Sequence, residues 1–295
     1  MLGAGGLLAA VGVGQGLGVL GDLTNSKIST LPKTLDPDVK MPVVFVGHGN
    51  PMNAIVENSF TRSLQDLGQQ LPRPRAILVV SAHWLTAGTW VTRMDQPKTI
   101  HDFRGFPQAL FDVRYPAPGN SELAARIQTL SKKPSIQADD SWGLDHGTWS
   151  VLNKMYPLAD IPVLQLSIDM SESPAFHLEV GKLLQTLRSE GVLILGSGNI
   201  VHNLRHAAWD KPEQGFDWAL EFDEWSKQKL LSGDYVSLAN DFMKTEAGRL
   251  SVPTPDHYYP MLYVLGAADP NKDKIHFAFE GYDMGSISMR TFVLG

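Results

Sequence analysis

The sequence predicts a single large α/β domain, built on a central mostly parallel or mixed sheet flanked by helices. Short apolar runs rich in β-branched residues recur along the chain, and longer stretches with the apolar period of a helix lie between them. The chain has 295 residues, of which 43% are hydrophobic and 19% charged. This balance is typical of a soluble globular protein with a large core.

Each predicted central strand is a short apolar run without charge, as expected of strands that are covered on both faces. These runs lie at 42–46, 76–80, 162–168 and 192–196. Two further strands are predicted to close the domain, at 276–280 and 287–293. The residues of the second alternate between apolar and polar, a pattern that indicates an edge strand.

Helices are predicted between these runs, at 57–71, 119–131, 147–156, 174–190 and 216–231. The clearest pattern is that of 174–190, where Phe176, Val180 and Leu184 recur at helical spacing. Ser173 is available as its N-cap and Gly191 as its stop. Because this helix leads directly into the next predicted strand, the two form one α/β unit.

Residues 1–23 differ from the rest of the chain, because they are apolar, rich in glycine and uncharged until Asp22. Their length suits a membrane crossing, but the glycines weaken a helix and the basic start of a secretory signal is missing. Two interpretations stay open: the hydrophobic part of an export signal, which implies the periplasm, or an unstructured extension of a cytoplasmic protein. Residues 24–40 are polar and contain prolines, so we expect a linker to a folded domain at 41–295.

Composition and charge exclude several classes of function. The formal net charge is −6 and no basic cluster of the kind that binds a phosphate backbone is present, so we expect no nucleic-acid partner. The absence of cysteine excludes disulfides, thiolate metal sites and cysteine nucleophiles. A transition metal would therefore be held by histidine nitrogens and carboxylate oxygens. Neither G-x-S-x-G nor H-E-x-x-H occurs, and no stable membrane partner is expected for 41–295.

Four of the nine histidines stand at or just beyond the end of an apolar run: His48 in GHGNP, His83 in SAHW, His202 in GSGNIVHN and His257 in PTPDHYYP. Open α/β sheets collect ligands at the carboxyl ends of their strands, and imidazole is the commonest metal ligand. If the strands before His48 and His83 are neighbours, both side chains project from one rim. Each histidine alone is better explained as a capping or hydrogen-bonding group, but the repetition at strand ends strengthens the case for a metal site.

The surroundings of two of these histidines carry further expectations. The turn before His202 does not complete G-x-G-x-x-G, so no dinucleotide site is expected, and His202 itself is placed in the first turn of a helix. Asp256 stands beside His257. Because neighbouring side chains point in different directions, Asp256 is expected to orient or cap and not to bind the metal.

A fifth candidate is His146, in DSWGLDHGTW, on a loop entering a helix that begins near Thr148. It is either a general acid or base that also contacts substrate, or a loop histidine whose hydrogen bond goes to Asp145. The other four histidines are expected to be structural: His101, His177, His206 and His276.

The strings GHGNP, SAHW, LDHGTW, SGNIVHNL and PTPDHYYP follow one another in this order. Together they resemble the class III extradiol ring-cleavage dioxygenases, specifically the DOPA 4,5-dioxygenase-like branch of the LigB superfamily. The segment DFRGFPQALFDVRYPAPG at 102–119 is similar to the same branch, and the resemblance covers about residues 41–295. It implies an α/β fold, one divalent metal ion, Fe(II) for dioxygenase activity or Zn(II), and a small aromatic diol opened with O2.

The resemblance also implies a role for each candidate. His48, His83 and His257 match metal positions, and His202 matches a position that serves either as metal ligand or as catalytic acid and base. His146 matches a histidine that contacts substrate and takes part in catalysis. Phe106 and Tyr115 are expected to line the aromatic ring, with Phe103, Trp84 and Trp149 as further candidates.

Two other classes of function stay open. A zinc-dependent hydrolase would use the same histidine cluster, with metal-bound water as the nucleophile. A non-catalytic metal-binding protein would close the site with four protein ligands.

Overall fold

The computed structural model of the chain describes residues 40–208 and 214–295. The apolar extension predicted at 1–23 and, apart from Lys40, the linker predicted at 24–40 lie outside the described residues, so this division of the chain stays a prediction. In the two described ranges, no helix combines the length and the apolar character that crossing a membrane requires.

The described residues form ten strands and nine α-helices. The strands are β1 (Val43–Gly47), β2 (Ala76–Thr86), β3 (Thr89–Thr92), β4 (Ile136–Asp139), β5 (Val163–Asp169), β6 (Val192–Gly198), β7 (Ile275–Phe279), β8 (Tyr282–Asp283), β9 (Ile287–Ser288) and β10 (Thr291–Leu294). The helices are α1 (Ser59–Gln70), α2 (Gln108–Phe111), α3 (Ser121–Gln128), α4 (His146–Met155), α5 (Pro174–Ser189), α6 (Asp217–Ser232), α7 (Tyr235–Asn240), α8 (Glu246–Ser251) and α9 (Tyr259–Ala267).

Eight strands form one mixed sheet, in the order β4-β3-β5-β2-β6-β1-β10-β7. At its centre, β5, β2, β6 and β1 run parallel to one another. Antiparallel pairing adds β3 on one side of this block and β10 and then β7 on the other. The strands β8 and β9 pair in a separate small sheet. The structure thus confirms the predicted α/β fold with a mixed sheet.

The central strands are buried on both faces, and alternate residues enter two different cores. In β1, Val43 and Phe45 pack in the core that contains α5 and α9, whereas Val44 and Val46 pack in the core that contains α1 and α4. Burying one such side chain contributes about 1.5–3 kcal/mol. A strand covered on both faces must therefore be apolar throughout, which is why these runs could be recognised in the sequence.

The C-terminal strands differ from the prediction. The run 287–293, predicted as one edge strand, is divided into β9, which pairs with β8, and β10, which lies between β1 and β7. The edge is β7 instead. The alternation was misleading because its polar residues are buried: Ser288 and Arg290 both bind the carboxylate of Asp223.

Some elements have no clear signal in the sequence. Helix α9 is buried at every position, so its residues are apolar all round and show no helical period. Helices α7 and α8 have six residues each, too few for a periodic pattern. Strand β2 continues to Thr86, well past its predicted end at residue 80, with a shift of register between Val80 and Leu85.

Candidate metal centre

Two of the predicted metal ligands lie at the carboxyl edge of the parallel block. His48 follows the last residue of β1, and His83 lies in β2 within its register shift, an irregularity that re-aims side chains. The two strands are not neighbours, because β6 lies between them, which corrects the adjacency assumed from the sequence. All three strands are parallel, so their ends still meet at one edge, with Ser197 of β6 between the two histidines.

Three imidazoles converge at this edge. The Nε2 atoms of His48 and His83 are 3.3 Å apart. His257 joins them from the turn before α9, and one ring nitrogen from each of the three histidines lies within 4.8 Å of the others. Because these nitrogens come from three separate segments, only the fold brings them together.

His48 is held by a buried hydrogen-bond relay. Its Nδ1 lies 2.9 Å from the hydroxyl of Ser197, which in turn donates to the backbone carbonyl of Gly147 at 2.6 Å. Since the hydroxyl proton is used on that carbonyl, the hydroxyl accepts from Nδ1 of His48. The proton of the neutral ring is therefore on Nδ1, and Nε2 presents its lone pair to the other histidines.

His257 is held in the same manner by its neighbour in the sequence. Its Nδ1 donates to the carboxylate of Asp256, and its backbone carbonyl accepts from the amide of Asn199 at 2.8 Å. Burial raises the pKa of Asp256, but the hydrogen bond from His257 outweighs it and leaves the pKa below its usual value. The ionised carboxylate orients the ring and is not itself in the group of three, as expected from the sequence.

Close backbone approach positions His83. A Cβ atom on Gly147 would lie 2.5 Å from Oγ of Ser81 and 2.9 Å from Cδ2 of His83, so a larger residue would force these side chains to move. The Ser81 hydroxyl donates to the carboxylate of Asp145, which is fully buried. These contacts fix the first turn of α4 against the end of β2.

Burial keeps two imidazoles of the cluster neutral, those of His48 and His83. It lowers the pKa of His48 and of His83 well below the usual value for histidine, and the neighbouring histidines lower both further. A nitrogen that binds a metal must be deprotonated, so at neutral pH protons compete only weakly for this site.

His202 lies beside the three converging histidines. Its ring stacks on that of His257 with 3.5 Å between ring centres and an angle of 4° between the planes. The prediction that His202 lies in the first turn of a helix is wrong. Its amide instead donates to the carbonyl of Ser251, and its backbone forms an isolated antiparallel bridge with Ile287. Burial, followed by the neighbouring His257, lowers the pKa of His202 well below the usual value.

His146 is the first residue of α4, which begins one residue before the helix predicted at 147–156. The interpretation that Asp145 satisfies its side chain is wrong, since that carboxylate caps the helix and accepts from Ser81 and Gln165. The partner of His146 is Asp102, whose Oδ2 lies 2.9 Å from Nδ1 and whose Oδ1 accepts from the backbone amide at 2.9 Å.

Aromatic side chains adjoin the histidines on one side. The ring of Phe103 meets that of His146 edge-on at 5.5 Å, and Phe106 packs against Phe103 at 5.3 Å. The prediction that Tyr115 lines the ring is not supported by its position. Tyr115 is buried in the core and its hydroxyl donates to the carbonyl of Tyr156, so its polar end is already used.

The four histidines expected to be structural lie outside this cluster. His177 is buried between α5 and α9, with its Nδ1 2.9 Å from the hydroxyl of Tyr263. His101 donates from Nε2 to the carbonyl of Val113. His276 is exposed on β7, and His206 ends a short 3-10 turn.

Several residues of the site could not be found in the sequence. Ser81, Asp102, Ser197 and Gln165 hold the histidines or their supports through contacts between distant segments. No local pattern distinguishes them from ordinary serines, aspartates and glutamines. Asp102 stands at the start of the DFRGFP segment noted for its resemblance, which is the single signal that pointed toward it.

Comparison with known proteins agrees with this geometry. The family described as the catalytic LigB subunit of aromatic ring-opening dioxygenase matches residues 41–291. The chain is 51% identical over 260 residues to the 4,5-DOPA dioxygenase extradiol of Escherichia coli (strain K12), covering 87% of this chain and 95% of that protein. It is 38% identical over 253 residues to the protein of that name from Beta vulgaris, covering 80% and 91%.

The fold agrees as well. The crystal structure of an uncharacterized protein from Escherichia coli K12 superposes with a TM-score of 0.76 at 46% identity, covering 87% of this chain and 100% of that one. Matching motifs, family and fold confirm the resemblance noted from the sequence. The chain therefore belongs to the LigB family of aromatic ring-opening dioxygenases.

Proposed function

We propose that this protein is a non-haem metal-dependent extradiol dioxygenase that opens the ring of a catechol with O2. The convergence of His48, His83 and His257 at one edge of the sheet carries the proposal, because it forms a three-nitrogen site beside two further histidines. Opening an aromatic diol needs a metal with open positions together with groups that move protons. Membership in the LigB family supports the same reaction class.

The residues present fit a divalent metal ion. Their ring nitrogens are close enough to bind one ion, and Ser197 and Asp256 orient two of the rings from behind. Such partners are usual for histidines that bind metals. Three protein ligands leave positions on an ion for substrate. Fe(II), when bound, supplies the one-electron chemistry that lets O2 react with a closed-shell ring.

His202 and His146 are assigned the proton transfers. His202 stacks on His257 and does not converge with the ligand set, and its lowered pKa leaves a neutral ring that can accept a phenolic proton. His146 lies on the other side of the cluster, with its ring centre 3.9 Å from that of His83. We assign it a hydrogen bond to a substrate oxygen from that side.

The substrate is proposed to be a DOPA-like catechol or another small aromatic diol. Phe103 and Phe106 offer apolar rings next to His146, and aromatic side chains pack well against a substrate ring in edge-on or offset geometry. The names of the relatives from Escherichia coli and Beta vulgaris support DOPA as the first compound to try.

The test is oxygen uptake by the reconstituted protein. The full chain is loaded with Fe(II) without oxygen, mixed with L-DOPA and a panel of other catechols, and followed with an oxygen electrode and by visible absorbance. We expect about one O2 consumed for each ring opened, with a yellow ring-fission product. No oxygen uptake and no coloured product across the panel, from protein that holds its metal, would refute the proposal.

Two variants sharpen the test. His202→Gln is expected to keep the metal and lose about 10²-fold or more in kcat, the usual contribution of a general acid or base. His276→Gln is the matched control, since His276 is exposed on β7 and outside the cluster. It is expected to leave both metal content and kcat unchanged.

Zinc-dependent hydrolysis is the second candidate, favoured by one observation. Three imidazoles form a donor set that also suits zinc, and zinc hydrolases use three protein ligands with an open position. In that case the zinc-loaded chain would turn over esters or phosphoesters without consuming oxygen. The same oxygen electrode separates the two functions.

A further inference from the structure

We propose that Asp102 is a positioning residue that fixes the tautomer and the orientation of the His146 imidazole, so that Nε2 of His146 faces the substrate. The inference rests on the proposed function, in which His146 contacts the substrate. It starts from a contact pattern that no other carboxylate in residues 40–208 and 214–295 makes with His146.

Asp102 holds His146 at two points. Its Oδ1 accepts from the backbone amide of His146 at 2.9 Å, and its Oδ2 lies 2.9 Å from Nδ1 of the ring. The first contact anchors the residue at the start of α4. The second brings the carboxylate close to Nδ1, which is buried and has no other hydrogen-bond partner among the described residues. Both contacts act on a side chain that is 9% exposed, so the ring has little room for another orientation.

The chemistry of the carboxylate determines the tautomer. An ionised carboxylate can only accept hydrogen bonds, so the neutral ring meets it best with the proton on Nδ1. Nε2 is then the nitrogen with a free lone pair, and it is the one that can accept a proton from a substrate hydroxyl. Without Asp102 the two tautomers of His146 would no longer be distinguished by a fixed acceptor.

The nearest alternative carboxylate is already used. Asp145 precedes His146 in the chain, but its oxygens accept from Ser81, from Gln165 and from the amide of Thr148. Its role is to cap α4 and tie it to the sheet. Asp102 is therefore the carboxylate that orients the ring of His146.

The same oxygen also faces a metal-binding histidine. Oδ2 of Asp102 lies 3.5 Å from Nδ1 of His83, whose Nε2 belongs to the cluster. One carboxylate thus lies between a ligand of the metal and the histidine assigned to the substrate. Loss of the Asp102 carboxylate is expected to weaken metal binding modestly through its contact with His83. It is expected to lower kcat strongly through its contact with His146.

The tautomer can be read without any enzymatic activity. Long-range proton–nitrogen NMR spectra of the full chain, labelled with ¹⁵N-histidine and loaded with zinc, distinguish Nδ1–H from Nε2–H rings. His146→Gln assigns the signal by its loss. We expect Nδ1–H for His146 in the wild type, and in Asp102→Asn a shift to Nε2–H or to a mixture, because the amide can donate to Nδ1.

Kinetics of the Fe(II)-loaded chain separate positioning from general damage. Asp102→Asn is expected to lower kcat by about 10²-fold, within the range that a general acid or base supplies, while KM changes by less than about threefold. Asp102→Glu, which keeps the carboxylate, is expected to recover part of kcat and to return the pH profile toward that of the wild type. A purely structural role would not produce this rescue.

Three outcomes would overturn the inference. The first is an unchanged Nδ1–H signal in Asp102→Asn together with an unchanged kcat. The second is the Nε2–H tautomer of His146 in the wild type. The third is two bound metal ions in each wild-type chain, falling to one in Asp102→Ala, since Asp102, His83 and His146 would then be ligands. A wild type without oxygen uptake would refute the proposed function, while the NMR result would still decide the role of Asp102.

Discussion

Replacing Ser197 by alanine tests whether the metal site depends on the support behind its ligands. In the wild type the hydroxyl accepts from Nδ1 of His48 and donates to the carbonyl of Gly147. The side chain is fully buried, so water cannot take its place without a rearrangement. Ser197→Ala therefore leaves the buried Nδ1–H of His48 without its acceptor and removes one hydrogen bond to the carbonyl of Gly147.

The expected effect has two parts. Loss of a partner behind a metal-binding histidine typically costs about 10- to 100-fold in affinity, which corresponds to about 1.4–2.7 kcal/mol of binding free energy. Leaving buried polar groups unpaired costs about 1–3 kcal/mol of the free energy of unfolding. We therefore expect Ser197→Ala to bind zinc about 10- to 100-fold more weakly and to unfold more readily without metal.

Zinc affinity is measured by competition with a coloured chelator, and the stability of the metal-free chain by urea titration. Ser167→Ala is the matched control. Ser167 is another fully buried serine, on β5, whose hydroxyl bonds to Thr86 and Trp90 and not to a histidine. It is expected to lose stability but to keep its zinc affinity. A Ser197→Ala protein with wild-type affinity would refute the argument.

Three further predictions follow from the same contacts. His83→Ala is expected to reduce bound metal from about one ion per chain to almost none by elemental analysis, and full occupancy would contradict the proposed ligand set. Gly147→Ala places a methyl group 2.5 Å from Ser81 Oγ and is expected to destabilise the fold by about 1–3 kcal/mol and weaken zinc binding; unchanged affinity would show that His83 tolerates the shift. Burial lowers the pKa of His177 to about 4, so the unfolded chain, with a histidine pKa of about 6.5, takes up the proton first. The contribution of neutral His177 to the free energy of unfolding is therefore complete above about pH 6.5, and about 3 kcal/mol of it is lost by about pH 4. We expect the difference in unfolding free energy between wild type and His177→Gln to shrink as the pH falls over this range. A difference independent of pH would contradict it.

The parts of the fold with strong local patterns were predictable. The central strands are apolar because both of their faces are buried, and α5 shows its period because one side of it packs on the sheet. The failures have the opposite cause. Helix α9 is enclosed on all sides and shows no period. The segment from β9 to β10 contains buried polar residues, because Ser288 and Arg290 both bind Asp223.

The sequence by itself determined the class of the fold, the chemistry of the available ligands and the five histidines assigned to the proposed site. These are local properties, because apolar runs, strand ends and residue types can be identified without knowing what lies opposite. The tertiary structure decided which histidines converge, that β6 separates the strands of His48 and His83, and that Asp102 meets His146 across 44 positions of the chain. Such pairings depend on how distant segments pack. A hydrogen bond between two distant segments produces no recognisable pattern in the residues that flank it in the sequence.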